Sequence, residues 1–342
     1  MTAILTGSMT DTPPEAFHSG EQALQLLAGS RKRMAQVGNQ VIRDFMPDQH
    51  RELFTKLPMM LAGSLDAQGR PWASLLVGVP GFVASPDDHT LVISARPAAA
   101  DPLSEHLAAG MPIGLLGIEL ATRRRNRMNG HVTEVGDGVF SVQVDQSFGN
   151  CPQYIQVRQH RFRDLPETIA APHAVAAESA LLSPAATALV RAADTLFIAS
   201  ASAAAGSGPR EQGVDVSHRG GRPGFVRVTE EDGRSVLTIP DFSGNLFFNT
   251  LGNIAINPRA GLLFVDFATG DLLTLTGTAA VVLDGPEIAA FKGAQRLLRF
   301  EPADGGRLIR GAVPLQWSEP DYAPQLARTG TWAEAEIALA QS

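Results

Sequence analysis

The stretch "GVDVSHRGGRPGFVRV", Gly213 to Val228, has a counterpart in "DAQGRPWASLLVG", Asp66 to Gly78. In both, a Gly-Arg-Pro corner runs into residues that favour a pleated strand. Further landmarks follow in the same order. Pro71 aligns with Pro223 at an offset of 152, Pro112 with Pro258 at 146, and Gly130 with Gly277 at 147. Nearly constant offsets in one order indicate a tandem duplication.

Working outward, each copy reads as about six short apolar strands, tight turns and one short helix. The first copy holds "MMLAGSLDAQGRPWASLLVG" (a hairpin through "DAQGRP"), "HTLVISA", "MPIGLLGIEL", "RRRNRMNGHVTEV" and "GVFSVQVDQSFG". The second holds "ADTLFIASAS", "SVLTIPD", the helical "NLFFNTLGNIAIN", "RAGLLFVDF" and "DLLTLTGTAAVVL". Long helices between strands are missing, so the pattern predicts antiparallel barrels rather than a doubly wound α/β sheet. Ahead of the strands, helical spacing runs from Gly20 to Met46 in two pieces, with Ser30 as a cap, and again from Pro47 to Pro58. The expected organisation is mainly β with peripheral helices. An N-terminal arm and helix occupy 1–49, a first barrel 50–164, an Ala/Pro-rich linker 165–186, and a second barrel with a closing segment 187–342.

Composition narrows the function. The 342 residues are 44% hydrophobic and 18% charged, which suits a folded chain with sizeable cores. A net charge of −7 with few Tyr and Trp disfavours nucleic acid. No apolar run is long enough to span a bilayer, no secretory pattern opens the chain, and the single cysteine excludes an internal disulfide. These features predict a cytoplasmic protein with no nucleic acid and no membrane among its partners.

The eight histidines are scattered without metal-ligand spacing, so no metal is expected. The run "RRRNR" is different. On a strand, Arg123, Arg125 and Arg127 share a face, either as an anion site or as a solvated edge. "IPDFSGN" places Asp241, Ser243, Gly244 and Asn245 in a turn before a helix, which reads as an anion cradle or as an Asx-type cap. Arg219 and Arg227 stand near this turn. Cys151, among uncharged neighbours, reads as a structural thiol.

Taken together, the -GRP- strand, "LTIPD", the helix ending in "NPRAGLLF" and "LTGTA" resemble the pyridoxamine 5'-phosphate oxidase-like FMN-binding split barrels. The resemblance is stronger in the second copy, about 190 to 285, than in the first, about 50 to 160. It implies two tandem split β-barrels and FMN as cofactor in a flavoprotein oxidoreductase acting on a small molecule. Relatives of this kind pair across a two-fold axis with flavin in the seam. A tandem chain makes that pairing internally, a second seam is degenerate, and a further homodimer is open. The resemblance implies that Arg219, Arg227 and Asn245 hold phosphate or ribityl oxygens and that Ile239, Pro240 and Asp241 line the ring. No catalytic acid or base is implied. The tail "RGAVPLQWSEP", with Arg310 and Trp317, resembles a segment that closes the pocket. Glu231 and the Gly244–Leu246 turn stand where the family carries Lys and Arg. That departure supports an alternative, a non-catalytic ligand-binding protein that takes haem or a phosphorylated metabolite at a degenerate flavin site.

Overall fold

The computed structural model describes residues 15–163 and 173–341. Three helices open it: α1 (Ser19–Leu27), α2 (Arg31–Val41) and α3 (Asp48–Lys56). A glutamate at the third helical position and a side-chain acceptor at His18 close a capping box on α1. Ser30 does precede α2, but its hydroxyl donates to the Gln25 carbonyl and makes no cap bond.

The first set of strands is β1 (Met59–Leu65), β2 (Pro71–Val77), β3 (Val83–Ala84), β4 (Thr90–Ile93), β5 (Pro112–Glu119), β6 (Arg124–Gly136) and β7 (Val139–Gly149), with α4 (Leu103–His106) between β4 and β5. After β8 (His160–Phe162) and β9 (Val175–Glu178) comes α5 (Pro184–Ala192). The second set is β10 (Thr195–Ala201), β11 (Val214–Gly220), β12 (Arg227–Glu231), β13 (Arg234–Asp241), α6 (Asn249–Ile256), β14 (Arg259–Val265), β15 (Leu272–Val282), α7 (Pro286–Ala290), β16 (Arg296–Pro302) and β17 (Gly306–Ile309). β18 (Leu315–Trp317) and α8 (Trp332–Ala340) follow.

Both sheets are antiparallel, and their strand orders carry the duplication. The first runs β2-β1-β5-β6-β7-β4-β3 and the second β11-β10-β14-β15-β16-β13-β12. Shifting every label of the second by nine reproduces the first. Neither path closes on itself: among the described residues, the end strands of each sheet do not pair with each other. The expected barrels are therefore open sheets here. Helices are also not confined to the N-terminal segment, since α4 to α8 are spread through both halves.

The duplication is real, but the corner that suggests it is not the equivalent one. Pro71 begins β2 opposite Leu65, and Val214 begins β11 opposite Ala201, so Pro71 corresponds to Val214 and not to Pro223. The first Gly-Arg-Pro is the β1–β2 hairpin, where Asp66 accepts from the backbone of Gln68 and Arg70. The second lies after β11. Its true counterpart is "GVPGF", Gly78 to Phe82, against "GRPGF", Gly221 to Phe225. Gly81 and Gly224 both have positive φ, and Phe82 and Phe225 both donate their amide N–H three residues back. Pro258 precedes β14, while Pro112 is already in β5, so that pair is off by one. Gly130 and Gly277 do occupy equal registers, opposite Ile113 and Ala260. Of the linker, 173–186 includes β9, which pairs with β17, and the start of α5; the rest lies outside the described residues, as does the arm before residue 15.

Three cores organise the packing. One lies beneath α3 in the first sheet, one beneath α5 and α6 in the second, and a third between the sheets. This seam is apolar: Leu61, Ala73 and Leu116 meet Phe197, Val216 and Leu263. It is also two-fold. A Cβ on Gly114 of β5 would collide with the Val214 carbonyl, and one on Gly261 of β14 with the Pro71 carbonyl. Equivalent glycines thus face equivalent carbonyls, as in an isologous dimer interface. Backbone oxygens at both places leave no flexible group to yield. Gly114→Ala and Gly261→Ala should each destabilise the fold by about 1–3 kcal/mol. Urea midpoints check this, and two unaffected variants would contradict the seam as described.

The first half also buries an acid on the core side of β2. Asp101, fully enclosed, caps α4 through the Leu103 amide at 2.9 Å and accepts from the Ser74 hydroxyl at 2.6 Å. Burial pushes its carboxyl up to about 6 from an ordinary 3.8. The folded state therefore holds a proton that the unfolded chain releases, so this group stabilises most at low pH and its contribution falls between about pH 4 and 6. Asp101→Asn should flatten that part of the stability profile, measured as the urea midpoint against pH.

Candidate functional site

At one end of the apolar seam the two sheets diverge into a cleft. It opens to about 900 Å³ counted out to its solvent mouth. β6 supplies Arg125 and Arg127, β11 supplies Ser217, His218 and Arg219, and the end of β13 supplies Pro240 and Asp241. The loop after β7 adds Cys151 and Tyr154, the turn before α6 adds Asn245 and Phe248, and Arg296 enters from β16. The lining carries four arginines and one carboxylate. Such a surface selects an anion.

Strand alternation places Arg125 and Arg127 on the seam side. Arg123 does not share that face. It ends the 3-10 turn before β6 at φ 59°, and its guanidinium reaches the Ile155 carbonyl and Asp321. Arg127 is almost fully buried. It donates to Asp215 Oδ1 at 2.8 Å and to the Ser217 hydroxyl, and Asp215 also accepts from Asn129 and Asn253. Among the described residues Arg125 has no carboxylate partner. Its Nε donates to the Cys151 carbonyl at 2.6 Å and its Nη1 to the His218 carbonyl at 3.4 Å. Burial, with the guanidiniums of Arg219 and Arg127, pulls Arg125 down to about 9, so it is still a cation at neutral pH. Arg219 and Arg296 flank Asp241 at 3.5 and 3.0 Å. One carboxylate thus orients two cations toward the cleft.

His218 is 4% exposed and packs edge-on against Phe197. Burial, with Arg125, Arg219 and Arg158 around it, holds its imidazole well below the ordinary range, so it is neutral. Its Nε2 has no hydrogen-bond partner among the described residues, nor do the nearby Arg127 Nε and Asn150 Nδ2. Buried polar atoms left unpaired are costly and mark places where a ligand or water belongs. Backbone strain collects here too. Tyr154, Leu246 and Phe248 all line the cleft with positive φ (62°, 65° and 64°), a conformation non-glycine residues seldom adopt. Phe248 in this state opens α6 without a side-chain cap, leaving amides of the first turn free to face an anion.

Of the residues singled out in sequence, Arg219, Pro240, Asp241 and Asn245 meet in this cleft. Asn245 Oδ1 is occupied by the Phe247 amide at 3.1 Å, so the Asx-type turn and the cradle are one feature. Arg227 and Ile239 stand apart. Arg227 pairs with Glu287 and stacks on Trp332, while Ile239, by alternation from Pro240, sits in the core of the second sheet. His218, Tyr154 and Arg296 were not legible as site residues. His218 looks like one scattered histidine among eight, and Arg296 meets Asp241 across 55 positions. The juxtaposition of His218 with Arg219 was the one available signal.

The two-fold predicts a twin cleft, and that position is filled. The register puts Leu272 and Thr274 where Arg125 and Arg127 stand, and Leu75 and Leu76 where His218 and Arg219 stand. The tail brings Val313 and Leu315 into the same apolar cluster as Leu75 and Leu272. The "RGAVPLQWSEP" segment thus seals the twin rather than closing the arginine cleft. Among the described residues no group of His, Cys, Asp or Glu is placed to hold a metal, and no helix is long and apolar enough to cross a membrane.

Residues 46–165 match the family model described as pyridoxamine 5'-phosphate oxidase. This is the first copy, whereas the residue resemblance pointed more strongly to the second. Among solved structures, HutZ, described as the heme storage protein from Vibrio cholerae, is 15% identical and aligns over 38% of this chain and 95% of that one, with a TM-score of 0.24. HupZ from group A Streptococcus is 12% identical over 36% and 90%, with a TM-score of 0.27. A Lactobacillus delbrueckii protein provisionally described as a pyridoxamine 5'-phosphate oxidase is 16% identical over 31% and 95%, with a TM-score of 0.25. No curated protein sequence matches the chain. The match to the pyridoxamine 5'-phosphate oxidase-like family model is distant, covers the first copy alone and is not specific to an FMN-oxidase branch.

Proposed function

We propose that the chain is a ligand-binding member of this fold that holds one phosphorylated, ring-bearing small molecule in the arginine cleft. The carrying observation is the unpaired Arg125 cation beside the Asp241-oriented pair of Arg219 and Arg296. These groups and the free α6 amides suit a phosphate. Tyr154 and Phe242, tilted rings 5.1 Å apart at the cleft wall, suit a flat heterocycle. Because the twin position is apolar, one molecule per chain is expected. Haem is a weaker fit, since Arg, Asn, Ser and Gly dominate a lining where a porphyrin needs an apolar slot.

The family match favours a second reading, an FMN-dependent oxidoreductase. FMN belongs to the proposed ligand class, and Arg125, Arg219 and Arg296 would hold its phosphate; bound, it would supply hydride and electron transfer. No acid or base is assigned. Titration of the purified protein with FMN and riboflavin tests the core claim. FMN should bind with a stoichiometry of one and at least about tenfold more tightly than riboflavin, the increment of a charge-assisted contact. Equal affinities, or no binding together with no phosphorylated ligand in native mass spectra, would remove it. Haem recovered in the native spectra would favour the sequence alternative instead. Oxidation of NADH or NADPH by the FMN-loaded protein separates the second reading from the first.

A further inference from the structure

The loop after β7 sets Cys151, the chain's one cysteine, at the wall of the arginine cleft, partly exposed rather than sealed in a core. Its backbone is anchored to a cation, because Arg125 Nε donates to the Cys151 carbonyl at 2.6 Å. The thiol itself is close to two cleft side chains. After burial, the largest influence on the Arg125 guanidinium and on the Tyr154 hydroxyl is in each case Cys151. Arg125 spends Nε and Nη1 on the Cys151 and His218 carbonyls, and its Nη2 makes no hydrogen bond among the described residues. Arg219, its side chain 27% exposed, shares Asp241 with Arg296 and adds a second open cation. The protein also leaves polar groups of this cleft unsatisfied. His218 and Arg127, both more than nine-tenths buried, each carry a nitrogen without a partner among the described residues. Cations crowded into a concave, partly desolvated site concentrate negative solutes there. Thiol–disulfide exchange proceeds by attack of a thiolate on a disulfide sulfur, at a rate set partly by access. The reaction partner that suits both facts is a small disulfide bearing carboxylates.

We infer that Cys151 is a site of reversible modification by small anionic disulfides, steered to the thiol by Arg125 and Arg219. The Cys151 thiolate attacks one sulfur, the S–S bond of the reagent breaks, and a mixed disulfide forms. The other half leaves as a thiolate and takes a proton from water. The disulfide is itself the oxidant, and excess free thiol reverses the step. The adduct's carboxylate then occupies the cations that a ligand phosphate needs. The exchange depends on the charge of the cleft alone; its effect on ligand binding rests on the phosphate-binding reading.

Three aliphatic disulfides of similar length separate charge from reactivity: 3,3'-dithiodipropionate (two carboxylates), bis(2-hydroxyethyl) disulfide (neutral) and cystamine (two ammoniums). Adduct formation on the full chain is followed by intact mass. Each rate is divided by that of the urea-unfolded chain, whose thiol is open to all three reagents. On the folded chain the dicarboxylate should gain at least about tenfold over the neutral disulfide, and cystamine should fall below it. Added salt should shrink this preference. Arg125→Met should cut it several-fold, Arg124→Met should leave it, and Cys151→Ser should take no adduct. The propionate adduct should bind FMN at least about tenfold more weakly, with affinity restored by dithiothreitol. Equal relative rates for the three reagents, or a folded chain that takes no adduct, overturns the assignment. An adduct that binds FMN as well as the free thiol overturns the effect on the ligand. Anion preference in a chain that binds no FMN sustains the modification site and removes the phosphate reading.

Discussion

Replacing Asp215 by alanine should lower stability by about 3–5 kcal/mol, because it strands a guanidinium that has no access to water. The side chains of Arg127 and Asp215 are 3% and 9% exposed, and the carboxylate also takes donors from Asn129 and Asn253. A single truncation thus removes the acceptor of three buried donors at once. The measurement is the free energy of urea unfolding at neutral pH. Removing both members, as Arg127→Met with Asp215→Leu, should cost less than Asp215→Ala alone, since an apolar pair leaves no charge uncompensated. An Asp215→Ala protein as stable as the parent would show that the ion pair does not hold the seam.

The largest expected effect on binding belongs to Arg125. Arg125→Met should weaken FMN about 10–100-fold, the range for a lost charge-assisted hydrogen bond in a partly desolvated site. Stability should change by less than about 1 kcal/mol, because Arg125 holds carbonyl oxygens and, among the described residues, no carboxylate. The adjacent Arg124 supplies the control. Its guanidinium points away and donates to the Gln49 carbonyl, so Arg124→Met should leave FMN affinity unchanged. Fluorescence titration of both variants decides between a site-specific contact and a general loss of positive charge. Equal losses in the two would favour the latter and remove Arg125 from the site.

The duplication was legible in sequence, yet through a coincidence of turn chemistry. Tight turns of many kinds draw on Gly and Pro, so a hairpin and a strand-to-strand corner both carry Gly-Arg-Pro in this chain. The equivalent corners share instead a glycine that needs positive φ, followed by a phenylalanine folded back onto the first glycine of the corner, and differ at the second residue, Val79 against Arg222. Alternation along a strand was enough to put Arg125 and Arg127 together. It failed for Arg123 because the strand begins one residue later, after a left-handed turn. Arg227 was misplaced for a different reason: proximity in sequence to a candidate turn says nothing about the partner across the fold, and here Glu287 is that partner. Open sheets in place of barrels depend on hydrogen bonds between strands distant in sequence, which periodicity within each strand does not record.

The sealed twin has a consequence for how such a chain can change. In an assembly of two identical subunits every substitution appears on both sides of the axis, so a cleft cannot be improved at one place and discarded at the other. Joining the halves in one polypeptide lifts that constraint, and Leu272 can stand where its counterpart is Arg125. One half is free to become pure scaffold while the other keeps the chemistry. The connection also makes pairing of the halves unimolecular, so the intact cleft persists at dilutions where a separable pair of the same interface would come apart.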